Sequence, residues 1–118
     1  MNHLQDAMQN AAWRNKDKQQ GVVVFGTGNE PFWSVEYNNK DTISFLLSEW
    51  SHPLKMKVDS SFNTNDSTGY IAHNDSAQLH VTIFPHFCSD GMSDLTYRNK
   101  IRVQYNKQVY QGCGIKYR

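Results

Sequence analysis

Trp33-Ser34-Val35-Glu36-Tyr37-Asn38-Asn39-Lys40-Asp41-Thr42-Ile43-Ser44-Phe45-Leu46-Leu47 is the stretch that decides the fold. Trp33, Val35 and Tyr37 alternate with Ser34 and Glu36, which is the period of a strand with one face buried. Asn38–Asp41 is a cluster of turn formers. Ile43, Phe45 and Leu47 then alternate again, so residues 33–47 read as a β-hairpin.

The same period recurs on both sides. Val22-Val23-Val24-Phe25 is a short apolar run compatible with a strand buried on both faces, and Gly26-Thr27-Gly28-Asn29 reads as its end. Leu54, Met56 and Val58 alternate with Lys55 and Lys57. Residues 60–68 read as a polar loop broken only by Phe62. Gly69–Ala72 is a short strand, Asn74–Ser76 a turn, and Leu79, Val81 and Ile83 the clearest strand of all, ended by Pro85. Residues 87–99 read as a long irregular segment. Ile101, Val103 and Tyr105 form another strand, Asn106-Lys107 a two-residue turn, and the residues around Val109 a last strand ending near Cys113. About eight short strands without helical crossovers predict an all-β, mainly antiparallel domain, a small barrel or a sandwich.

Residues 1–20 differ. They are rich in Gln, Asn, Lys and Asp and contain no β-branched residue. Leu4, Met8 and Ala11 have helical spacing, so this part is expected as a short helix or a tail ahead of a single β domain over 21–118.

Composition narrows the function classes. The 118 residues suit one domain, and a formal net charge of +1 with no sustained Lys/Arg run argues against nucleic acid as a partner. A mean hydropathy of -0.71 beside 13% aromatic residues describes a folded domain with a polar, weakly charged surface. No apolar run is long enough to span a membrane as a helix. Residues 1–20 lack the apolar core of a signal peptide.

Cys88 and Cys113 are the only cysteines. In an exported domain two cysteines pair, and closing residues 89–112 into a loop stabilises by roughly 3–4 kcal/mol on a chain-entropy basis. The alternative is two free thiols in a cytosolic protein. His86, two residues from Cys88, would share a face with it in an extended segment and hints weakly at a reactive cysteine. The five histidines and two cysteines show no zinc-ligand spacing, and no metal or cofactor is expected.

Two segments look too particular to be scaffold alone. The first is Asn29-Glu30-Pro31-Phe32-Trp33, preceded by Gly28. The second is Cys88-Ser89-Asp90-Gly91-Met92-Ser93-Asp94, followed by Tyr97 and later by Tyr110-Gln111-Gly112-Cys113. In the first, Pro31 holds Glu30 extended, Trp33 is expected in the core, and Glu30 could face Arg98 or Arg102 across a barrel mouth. In the second, Gly91 suits a turn, and Ser89 and Ser93 can cap local amides. The segment is then a structural loop, a recognition loop presenting Asp90, Met92 and Asp94 together with Tyr97, or a cation site at Asp90 and Asp94.

In order and spacing, these motifs resemble a family of bacterial cell-envelope proteins and lipoproteins of no assigned activity, some of which carry a META-type domain alongside. The resemblance runs from about Phe25 to Gly114. Where the family pattern has an Arg after Ser-Asp and a Pro after Tyr, this chain has Leu95 and Arg98. The resemblance implies a periplasmic or lipid-anchored β domain. A disulfide would in turn imply that an export signal has been removed from this stretch, and an envelope protein or glycan is the expected partner, its identity open. The expected function is a non-enzymatic binding domain. The alternatives are a lysozyme-inhibitor-like protein, by analogy of architecture, and a glycan hydrolase using Glu30 with Asp90 or Asp94.

Overall fold

The computed structural model describes residues 5–6, 21–29, 31–89 and 95–117. Eight strands close into an antiparallel barrel: β2 (Val22–Asn29), β3 (Phe32–Asn38), β4 (Thr42–Leu47), β5 (Leu54–Asn63), β6 (Thr68–His73), β7 (Gln78–Phe84), β10 (Asn99–Tyr105) and β11 (Gln108–Lys116). Closure runs β10-β11-β2-β3-β4-β5-β6-β7 and back to β10, which pairs with β7. A smaller sheet lies outside the barrel. In it β8 (Cys88–Ser89) pairs antiparallel with β9 (Leu95–Tyr97), and β1 (Gln5–Asp6) pairs parallel with β9. The all-β reading holds, and the barrel rather than the sandwich is its form. Closure leaves the eight strands no free edge, the feature that makes open sheets prone to self-association.

The hairpin of residues 33–47 forms as its alternation requires, with Tyr37 opposite Ile43 and Trp33 opposite Leu47. Its turn is set by side chains. Asn38 Oδ1 accepts from the amides of Lys40 (2.9 Å) and Thr42 (3.2 Å), and Asp41 takes the left-handed region at φ 59°. The core is the inward face of each strand. Trp33, Phe45, Ile43, Leu79, Ile83 and Ile101 are almost completely buried, each contributing roughly 1.5–3 kcal/mol.

Three local readings are corrected. Gly26-Thr27-Gly28-Asn29 does not end a strand; β2 runs through to Asn29 with alternating burial, and its outer face is only half-buried. Gly26 and Gly28 point inward, where the Ile101, Val35 and Trp33 side chains fill the space a Cβ would need. Residues 60–63 are not loop but the end of β5, carried past a bulge between Val58 and Ser60, and Phe62 lies over Gly69 on the outer surface. The segment 87–99 is not wholly irregular, since β8 and β9 order its two ends.

Of residues 1–20, only Gln5–Asp6 are described, and there the chain is extended. The remainder of the expected helix or tail lies outside the described residues.

Candidate functional site

Antiparallel order sorts the connections into two ends. The β2–β3 turn, the β4–β5 loop (residues 48–53), the β6–β7 turn and the β10–β11 turn gather at one end, here the mouth. The β3–β4 turn, the β5–β6 loop and the β7–β10 segment lie at the other.

The mouth is closed by aromatic rings. Phe45 stands at the centre, its ring centroid 6.3 Å from Trp33, 5.7 Å from Trp50, 5.7 Å from Tyr105 and 5.7 Å from Tyr110. Trp50 and Tyr105 meet edge to face at 5.3 Å, so the β4–β5 loop is fastened to β10 across the opening. Trp33 sits under this layer, at 1% exposure. Its indole rests against the bare backbone of Gly28 and Gly112. The expectation of a core tryptophan is met.

At the opposite end the Tyr37 and Tyr70 rings lie 4.3 Å apart. The Tyr37 hydroxyl donates to Asp41 Oδ1 at 2.5 Å. Burial, the hydrogen bond to Asp41 and that carboxylate's charge push the Tyr37 phenol up to about 12. Burial also raises the Tyr70 phenol.

Of the second motif, Cys88 and Tyr97 are held against the outside of the barrel. Along β11 side chains alternate, so Gly112 and Gly114 face inward while Cys113 and Ile115 face out. Cys113 bonds to Cys88, with Cα atoms 5.5 Å apart. Tyr97, Cys113 and Ile115 form a small satellite core, with Cys88 and Tyr117 packed on it. Where the segment rejoins the barrel, buried Asn99 donates through Nδ2 to the Phe84 carbonyl (3.1 Å) and accepts at Oδ1 from the Lys116 amide (2.8 Å). One side chain thus joins the exit of β7, the entry of β10 and the end of β11.

The motif residues fall as follows. Asn29, Pro31 and half-exposed Phe32 border the β2–β3 turn, and Ser89 is exposed at the end of β8. Tyr97 is a core residue, 4% exposed. Glu30, Asp90, Gly91, Met92, Ser93 and Asp94 lie outside the described residues. The disulfide removes Cys88 as a nucleophile, so the pairing with His86 carries no chemistry. Among the described residues no cluster of His, Cys, Asp or Glu is arranged to hold a metal ion.

Residues the motifs did not flag line the mouth. Trp50, His52, Pro53, Leu54 and Tyr105 border a hollow of about 350 Å³. His73, Asn74, Ser76, Ala77, Gln78 and Asn106 border another of about 470 Å³. His73 Nδ1 meets the Asp59 carboxylate beside it. Asn, Gln and Ser in turns are ordinary in sequence, and only barrel closure brings residue 50 beside 105 and residue 78 beside 106.

The fold and its attachment define a class: small closed antiparallel eight-stranded barrels carrying a disulfide-tethered flap on the outer wall. A solved structure with a similar fold is the crystal structure of Treponema pallidum Tp0751 (pallilysin), with a TM-score of 0.55 and 14% identity over 95% of this chain and 97% of that one. No family model matches the chain, and neither does any curated protein.

Proposed function

We propose that this chain is a non-enzymatic binding domain of the bacterial cell envelope, working outside the cytoplasm. The observation that carries the reading is the Cys88–Cys113 bridge. Disulfides persist in oxidising compartments, and this one tethers a surface segment to the barrel wall instead of crossing the core. The barrel interior is occupied by side chains, which fits a scaffold that binds through its rim and its flap. The motif resemblance to envelope proteins and lipoproteins points the same way.

The test is the thiol state in the source cells. Free thiols are trapped by alkylation before lysis, and the intact mass of the protein is taken with and without reduction. Cysteines that alkylate only after reduction are the expected result. Two cysteines alkylated before reduction would place the protein in a reducing compartment and refute the reading.

A further inference from the structure

The hollows at the mouth differ in chemistry, and the β10–β11 turn borders both. Tyr105 lines the aromatic one and Asn106 the polar one. A smaller recess of about 80 Å³, between Gln78, His80, Gln104 and Asn106, continues the polar side along the outer wall. No Asp, Glu, Lys or Arg lines any of the three.

The polar groups are fixed in direction. Asn74 Oδ1 accepts from the amides of Ser76 (2.7 Å) and Ala77 (2.8 Å), and Asn106 Oδ1 accepts from the Gln78 amide (2.9 Å). Both carboxamides are therefore oriented by their oxygens, which leaves their NH2 groups as donors. Gln104 Nε2 donates to the Asn106 carbonyl at 3.2 Å, which leaves its Oε1 as an acceptor. His80 Nε2 is buried without a hydrogen-bond partner, beside the small recess.

Neutral donors and acceptors held in fixed directions beside an aromatic surface suit one kind of ligand. A sugar ring has an apolar C–H face for an aromatic ring and hydroxyls that donate and accept at once. Phosphorylated or strongly acidic ligands would call for lysine or arginine, and neither lines the hollows. We propose that this end of the barrel binds a neutral oligosaccharide. One ring lies against Trp50 and Tyr105, and the hydroxyls of a neighbouring ring bond to Asn74, Gln78 and Asn106. The inference rests on the binding-domain reading and names its ligand class.

The experiment is a titration of the whole 15N-labelled chain, followed by amide and indole resonances, with chitotetraose and maltotetraose as probes. Saturable shifts of the Trp50 indole N–H and of the Asn74 and Asn106 side-chain NH2 groups are expected, with a dissociation constant of about 0.1–1 mM for at least one probe. Gln78 and Gln104 are exposed. Their double replacement, Gln78→Ala with Gln104→Ala, is expected to weaken binding about tenfold without changing the fold. Lys100→Ala, at an exposed site toward the other end of β10, leaves binding unchanged.

No saturable shift by about 10 mM of either probe overturns the proposal. So do shifts confined to the flap around Cys88, or tighter binding of tetragalacturonate or of a neutral tetrapeptide. The two readings fail separately. Disulfide-bonded cysteines in cells with no glycan response sink this inference alone, and reduced cysteines sink the envelope reading whatever the titration shows.

Discussion

Gly28→Ala should destabilise this protein, although the same change in an unobstructed strand stabilises. Glycine in a strand interior costs roughly 0.5–1 kcal/mol relative to alanine through the freedom of the unfolded chain. Gly28 does not have positive φ, so backbone geometry does not call for glycine there. What demands it is space. A Cβ at residue 28 would collide with Trp33 Nε1, lie 2.6 Å from Trp33 Cε2 and 2.9 Å from the Gln111 carbonyl oxygen. The indole is 1% exposed and packed on Phe45, so it has little room to retreat. Overpacking of this kind costs about 1–3 kcal/mol, which exceeds the entropic gain and sets a net loss of about 1–2 kcal/mol. Trp33→Phe removes the obstructing indole nitrogen and alone costs about 1–2 kcal/mol through the void it leaves. The two changes together should cost less than their sum, with a coupling of about 1 kcal/mol. The assay is urea unfolding followed by far-UV circular dichroism on the wild type, both single variants and the double. A Gly28→Ala midpoint above wild type, or additivity within about 0.3 kcal/mol, would refute the packing argument.

Reduction of Cys88–Cys113, which closes a separation of 25 residues, should remove about 3.5 kcal/mol of stability and lower the urea midpoint by about 1–3.5 M, with the barrel's circular dichroism unchanged in water. Asn106 sits at φ 53° with Oδ1 on the Gln78 amide, so Asn106→Ala should cost about 1–2 kcal/mol in thermal unfolding and Asn106→Gly distinctly less. Tyr37 should ionise near 12 by tyrosinate absorbance, and Asp41→Asn should lower that value. Because the folded-state value is raised, the folded chain holds the phenolic proton that the unfolded chain loses. This contribution to stability is complete below about pH 10 and is lost as pH rises from there through 12.

Strand positions were legible where alternation was clean. Residues 33–47, 79–83 and 101–105 lie as their period demands, with one face in the core; the other face is exposed on β10 and half-buried or buried on β3, β4 and β7. It failed where glycine was read as a terminator. At Gly26 and Gly28 the local preference of glycine is outweighed by inward side chains that need the volume. Phe62 misled in a similar way. Among polar residues it looked like an isolated loop aromatic, yet it covers Gly69 on the outer surface and stacks edge to face on His80 at 5.6 Å. The mouth was less legible still. Its aromatic and amide residues come from four connections far apart in sequence, and no short-range pattern joins them.

The motifs acquire a physical reading once β11 is traced. Tyr110-Gln111-Gly112-Cys113 looked like one string belonging with the flap, but strand alternation splits it. Tyr110 faces inward onto Phe45, and Gly112 leaves room for the Trp33 indole, whose Cζ2 would be 2.9 Å from an added Cβ. Cys113, the next residue, faces outward and binds Cys88. Gly28 meets the same indole from β2. Gly28, Trp33 and Gly112 therefore form one packing unit drawn from both motifs, and the disulfide is anchored one residue away from it on the opposite face of the strand. A rigid core at that point gives the tether a fixed base. This explains why residues that look like recognition signals, Trp33 and Tyr97 among them, are buried, while the polar groups left exposed at the mouth carry no motif at all.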